Sequence, residues 1–334
     1  MLDQKLINKI NSIYDLDGEV EFLSVVEKGF LSENYILKNN KQKFFLKKYR
    51  AFGLDRLKET HAVKKFFYKH KIPVIMPINT KAKKTFFLWK SNYYGLFPFV
   101  NGRQIDVDKL NKKEMESCAE LLAKIHLVSK SKCPKLVKGR SFGWDKKNSL
   151  KKSRYILNLI KNKKVQSVFD KKVAKYLVQK IEFIKKNKIE YEDLKLKNDH
   201  LIHGDFHEDN IFFDKKGDIM NVFDWEKNNQ SPRVLELVRA MWFLCFYDRY
   251  DGSAFKRAQI FLSQYSSIYP IDKDELRRGI AAWHLNQLHS MWVVDEIYLK
   301  NNKRVEILMN SYINFLNYQS RNLEKFSKRI LNCF

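Results

Sequence analysis

The chain has 334 residues, 44% of them hydrophobic, with 64 Lys and Arg against 38 Asp and Glu, a formal net charge of +26. That length is enough for about two compact domains, and the wealth of aromatic and aliphatic residues excludes a disordered tail. The longest apolar run, at 240–247, is far too short to span a bilayer, and the opening MLDQKLINKI has no apolar leader run, so the expectation is a cytoplasmic protein.

In chain order, residues 20–49 alternate apolar and polar in two runs separated by NNKQ, which predicts a β-hairpin region. Leu57, Val63, Phe66 and Phe67 recur at helical spacing over 55–70, and Ile72-Pro73 ends that helix. Two strand-like runs, KTFFLWK and YYGLFPFV, lead to the turn at Asn101-Gly102. The first hundred residues therefore read as mostly sheet with one helix. Beyond them, Met115, Cys118, Ala119, Leu122 and Ile125 make one stripe of a helix over 112–130, and 150–188 reads as two more helices with solvated lysine faces. Short strands interrupt at LIHG, NIFFD and IMNVFD, and from 232 onward the pattern is helical. The predicted class is α+β and bilobal, with a β-rich lobe over 1–100 and a larger, mainly helical lobe over 101–334.

Four cysteines at 118, 133, 245 and 333 are scattered with no CxxC pair, which favours reduced thiols over a disulfide framework or a zinc site. The lysine excess is spread along the chain without any nucleic-acid-binding pattern, so no specific nucleic-acid partner is assigned from charge alone. A positive field would still favour an anionic nucleotide.

The densest chemistry lies in HGDFHEDN, residues 203–210, followed by FDWE at 223–226. A zinc reading would need His203 and His207 on one helical turn, which Gly204 opposes, and no serine or cysteine elbow supports a nucleophilic triad. Asp205, Asn210 and Asp224 have the spacing of a phosphoryl-transfer loop, where one Asp accepts a hydroxyl proton and an Asn and a second Asp offer hard oxygens to Mg²⁺. The written pattern, HGDxxxxN followed by VFDWE, resembles the aminoglycoside phosphotransferase family, which includes choline kinases, fructosamine kinases and type II homoserine kinases. The resemblance covers nearly the whole chain and implies a protein-kinase-like fold that uses ATP and Mg²⁺. It implies Asp205 as catalytic base, His203 as organiser of the catalytic loop, and Asn210 and Asp224 as metal ligands. His207 and Glu208 fall at variable positions, and Glu226 suggests a role in stabilising the loop.

The same resemblance extends to the first lobe. EKGFLSENYIL is similar to the family's phosphate-covering loop, which implies roles for Gly29, Ser32 and Asn34, with Glu33 between the last two. FFLK would place Lys47 on the phosphates, with Lys48 as its rival on the opposite face of the strand. Glu59 of RLKETHAVKKFF stands where a carboxylate would pair with that lysine. YYGLFPFVNG resembles the lobe-connecting hinge, implying that backbone near Phe99 and Val100 meets adenine. LLAKIHLVS resembles the family's helix ending in Leu-His, with His126 as a packed structural histidine. One departure stands out: NNQSPRVLELVRA has Glu236 where the family usually carries the Asp that braces the catalytic loop.

For the acceptor, Trp242, Tyr247, Trp283 and Trp292 could frame an amine cage by cation–π contact, or simply fill a helical core, with Gln287 near Trp283 and Met291 on one helical face. Carboxylates after 232 are intermixed with Arg233, Arg239, Arg277 and Arg278, which speaks against polycationic antibiotics. The expected activity is phosphorylation of a small metabolite hydroxyl, on an amino alcohol such as homoserine or choline, or on a sugar. The alternatives are a silent structural homologue of the spore-coat type and a stress-response protein Ser/Thr kinase.

Overall fold

The computed structural model describes residues 2–26, 33–49, 53–132, 137 and 145–333. In order these form α1 (Gln4–Ile13), β1 (Glu21–Val26), β2 (Asn34–Lys38), β3 (Lys43–Tyr49), α2 (Leu54–Lys69), β4 (Phe87–Trp89), β5 (Asn92–Pro98), α3 (Lys112–Lys132), α4 (Lys146–Lys161) and α5 (Val168–Lys186). Then come β6 (His200–Ile202), β7 (Ile211–Phe213), β8 (Ile219–Val222), β9 (Asn229–Ser231), α6 (Arg233–Met241), a π-turn (Trp242–Phe246), α7 (Gly252–Ile268), α8 (Lys273–His289), α9 (Trp292–Tyr298) and α10 (Met309–Asn332). Two compact units result: Met1–Ile105, Pro134–Val137 and Asp209–Asn228 in one, and Asp106–Cys133, Lys138–Glu208 and Asn229–Phe334 in the other.

The first unit is built on an antiparallel sheet in the order β1-β2-β3-β5-β4. The NNKQ turn closes β2 onto β3 through Asn39 N–H to Gln42 C=O (3.0 Å), and Lys47 lies in register with Asn34 on one side and Gly95 on the other. Alternation along β3 sends Phe44 and Leu46 to one face, where they pack with α1's Leu6, Ile7 and Ile10. Each such buried aliphatic side chain contributes roughly 1.5–3 kcal/mol. Helix α1 was not expected from sequence. Its signal is Asp3, which caps Lys5 N–H (3.0 Å) ahead of a short apolar stripe among Asn, Lys and Ser. The other face of β3 carries Phe45, Lys47 and Tyr49 toward Leu57 of α2, Phe97 and Phe223. The β7–β8 hairpin joins this unit from far along the chain: Val222 pairs with Val74, and Phe213 with Arg103.

The second unit is helical apart from the β6–β9 pair. Its core draws Ile156 and Ile160 of α4, Val173, Leu177 and Ile184 of α5, Leu288 of α8, and Met309 and Leu316 of α10 into one cluster. Ser167 and Asp170 form a capping box that starts α5. Buried Lys180 donates to the carbonyls of Gln287 (3.2 Å) and Ser290 (2.8 Å) where α8 ends, and burial alone pushes its pKa down to about 7. Helices α6 and α8 cross closely at Gly279, where an added Cβ would collide with Val234. Arg233 clamps the same pair of helices through Glu275 (2.7 and 2.9 Å) and stacks on Tyr269. Among the described residues, no helix is long and apolar enough to cross a membrane, and Cys118, Cys245 and Cys333 are free thiols.

Candidate active site

In the first unit, the pleat of β3 points Lys47 inward, 1% exposed, and turns Lys48 to the opposite face, where it pairs with Glu33 (3.0 Å). The Lys47 ammonium lies 3.1 Å from Asp224 Oδ1, 2.5 Å from Glu226 Oε1 and 4.8 Å from the Phe223 ring centroid. Burial opposes its charge, but the two carboxylates outweigh burial and hold its pKa above the ordinary lysine value.

The expected pairing of Lys47 with Glu59 is not the arrangement found. Glu59 meets Arg56, one helical turn before it (3.2 Å), and Arg56 reaches on to the backbone carbonyls of Glu226 and Asn228. A neighbour at i−3 on the same helix face is always within reach, whereas a partner on a strand must be delivered by the fold. The sequence reading also passed over Lys64. This second buried lysine lies over the Phe97 ring (4.6 Å), and burial lowers its pKa to about 8 against the pull of Glu226. Burial raises the pKa of Glu226 to about 7, despite Lys47. His61, bonded to Tyr49 (2.9 Å) and Thr85 (2.7 Å), is driven down to about 3 by burial and by both lysines.

Asp224 holds left-handed backbone angles (φ 55°, ψ 60°), an uncommon state for a non-glycine that concentrates at functional sites. Asn210 is buried, and its carbonyl accepts from Phe223 N–H (2.8 Å), so the hairpin carries Asn210 and Asp224 as one piece. Both present amide or carboxylate oxygen, the donor type a hard divalent cation takes. Asn34 is buried beside Lys47 in the sheet, and its Oδ1 has no hydrogen-bond partner. Phe99 follows β5, with its N–H on Lys43 C=O (3.4 Å), and Val100 packs near Phe97. Gly29 and Ser32 lie outside the described residues.

In the second unit, the HGD segment is held by a single carboxylate. Glu236 of α6 accepts from His203 N–H (3.0 Å), from Gly204 N–H and from His126 Nε2 (2.9 Å), while Tyr265 bonds the other nitrogen of His126 (2.8 Å). Burial would raise Glu236, but the bond and charge of His126, with help from His203 and Gly204, keep it below the usual range. Gly204 has φ 81°, which glycine adopts freely, and this turns its N–H onto Glu236. His203 is fully buried, and its Nδ1 accepts from Asp205 N–H (3.1 Å). Arg239, one turn beyond Glu236, forms an ion pair with Asp205 Oδ1, and His207 Nε2 stands 3.8 Å from the same oxygen. The sequence reading missed this arginine as a site residue. Its signal is the i, i+3 spacing from Glu236, which puts both on one face of α6.

The aromatic acceptor candidates have separate surroundings. Trp242 is enclosed by Phe246, Phe315 and Phe326 and is core. Trp292 packs against the α4–α5 cluster, and Gln287 lends its carbonyl to Lys180. Tyr247, at φ 45°, borders a cavity of about 250 Å³ with Cys245, Asp248 and Arg257. Trp283 is 4% exposed against Phe243 and Phe315, with its indole N–H unbonded.

The chain belongs to the phosphotransferase enzyme family, whose profile matches residues 23–267. It is similar in fold to a spectinomycin phosphotransferase solved with ADP and spectinomycin, at TM-score 0.69 and 16% identity over 98% of this chain and 99% of that one. A microcompartment-associated aminopropanol kinase aligns at TM-score 0.66 and 12% identity over 99% and 100% of the two chains. Choline kinase from Cryptosporidium parvum Iowa II aligns at 0.62 and 10% over 97% of each. No curated protein sequence matches the chain.

Proposed function

We propose that the protein is an ATP- and Mg²⁺-dependent small-molecule kinase that phosphorylates a hydroxyl group. The observation that carries this reading is the buried ammonium of Lys47 fixed by Asp224 and Glu226, in a chain of the phosphotransferase family. A fully buried lysine held charged by carboxylates is a positioned cation, and a nucleotide's phosphates are the anions such a site serves. The aminopropanol, choline and spectinomycin kinases that share the fold lend weight to a small alcohol as acceptor.

In the reaction, the acceptor oxygen forms a bond to the γ-phosphorus as the bond from that phosphorus to the β,γ-bridging oxygen breaks. ADP leaves, and the hydroxyl proton passes to the Asp205 carboxylate. Lys47 orients the phosphates, and Asn34 offers an amide beside them. Glu236 and His203 hold the backbone of the HGD turn so that Asp205 keeps one orientation. Asn210 and Asp224 would hold Mg²⁺, which supplies charge neutralisation for the phosphates when bound.

The test is ADP release from Mg²⁺-ATP over amino alcohols and sugars. Asp205→Ala should lower turnover by at least ~10³-fold while nucleotide-dependent thermal stabilisation persists. Lys47→Met should weaken that stabilisation itself. A protein that neither releases ADP nor gains stability from Mg²⁺-ATP is not a kinase.

A further inference from the structure

The residue paired with Asp205 restricts the chemistry of the acceptor, and the reasoning rests on the kinase reading above. Arg239 spends one half of its guanidinium on Asp205 through Nη2. Its other terminal nitrogen, Nη1, is buried with no hydrogen-bond partner. The guanidinium carbon lies over the Phe243 ring, 4.8 Å from its centroid, a cation–π contact that helps hold the group in place. Phe243 in turn contacts Trp283 at 6.2 Å, and the indole N–H of that buried tryptophan is likewise unbonded. A buried donor left unmade costs about 1–3 kcal/mol, more when charged. Two such donors within one aromatic neighbourhood therefore call for acceptor atoms.

The charge balance agrees. Asp205 is already matched by Arg239, and Glu236 is occupied by His126 and two backbone N–H groups. With Asp205 Oδ1 committed to Arg239, that carboxylate is less available to recruit an amine. The unused half of Arg239 is suited to an oxyanion, which a guanidinium binds through paired N–H groups. We propose that the acceptor is an alcohol carrying an oxyanion, a carboxylate or a phosphate, that Arg239 Nη1 binds this anion, and that Trp283 donates to the same molecule. Arg239 then reads the acceptor while sharing Asp205 Oδ1 with the incoming hydroxyl, so the base is occupied until an acceptor of the right charge arrives.

The experiment uses the full chain, Mg²⁺-ATP and acceptors that differ only in the anion. The sets are homoserine against 3-aminopropan-1-ol, threonine against 1-aminopropan-2-ol, and glycerate or glycerol 3-phosphate against glycerol. ADP release should give the oxyanion member of at least one set a kcat/KM above its partner's by about tenfold or more. The glycerol set separates carboxylate from phosphate. Arg239→Gln should raise KM for the preferred anion by about 100-fold and bring the ratio within that set close to unity, because the uncharged partner never used Nη1. Arg239→Lys, which keeps a point charge in place of the fork, should retain part of the ratio and guards against a misfolded glutamine variant.

The inference is overturned if the uncharged or cationic member is used as well as the anionic one. It is also overturned if Arg239→Gln leaves the ratio unchanged, or if no anionic member is turned over while Mg²⁺-ATP still stabilises the protein. In each of those cases the kinase reading survives. If Mg²⁺-ATP neither stabilises the chain nor yields ADP with any acceptor, both fall together.

Discussion

Glu226 shows how a single buried group beside Lys47 makes the first unit sensitive to pH. Burial raises its pKa to about 7, well above that of a carboxylate in the unfolded chain. The native state therefore binds more protons than the unfolded state between roughly pH 4.5 and 7, and over that window stability declines as pH rises. Lys64 works in the opposite sense: burial lowers it to about 8, so stability recovers between roughly pH 8 and 10.5. Glu226→Gln should remove the lower slope and, by taking away the carboxylate that supports Lys64, let the upper one begin at lower pH. Urea midpoints of wild type and variant across the two windows check this, and parallel curves between pH 4.5 and 7 would contradict it. Residue types were legible in the sequence here, but partners were not. Asp205, Asn210 and Asp224 follow from fixed spacings along a nearly contiguous stretch. The partners of Lys47, 177 and 179 positions away, depend on where a hairpin docks.

At the scale of elements, α6 is the most heavily committed helix in the second unit. One face carries Glu236 and Arg239 to the HGD turn, and the opposite side meets α8 at Gly279. Gly279→Ala would drive a methyl into Val234, a clash that costs about 1–3 kcal/mol in a well-packed core. The double variant with Val234→Ala should recover part of that loss, and the coupling in denaturant melts measures how much of it is steric. Additive losses would place the cost elsewhere. The existence of α2 and α3 could be read from apolar periodicity, and β2 and β3 from alternation around NNKQ. Helix α1 could not, because its three buried residues are diluted by Asn, Lys and Ser over barely three turns. Nor does residue type tell a cage from a core: Trp242 fills space among phenylalanines, while Trp283, also buried, keeps an unbonded N–H.

For the whole molecule, the net charge of +26 is a long-range term that no single contact expresses. It raises the local concentration of an anionic nucleotide at low salt and loses reach as the Debye length shrinks from ~30 Å at 0.01 M to ~8 Å at 0.15 M. The association rate of a fluorescent ATP analogue should therefore fall several-fold across that range, while dissociation changes less. A salt-independent on-rate would mean that the lysines are irrelevant to capture. The division of the chain has a further consequence, for synthesis. The first unit takes in Asp209–Asn228 as well as the N-terminal stretch, so its sheet face, its bridge partner for Val74 and both carboxylates at Lys47 are made long after β3. During translation, Lys47 and Lys64 have no reason to leave water until the β7–β8 hairpin has emerged, by which time α3, α4 and α5 are already outside the ribosome. The first unit, though it begins the chain, is bound to finish folding late, and a fragment ending at Ile105 would strand two buried cations without their counter-charges.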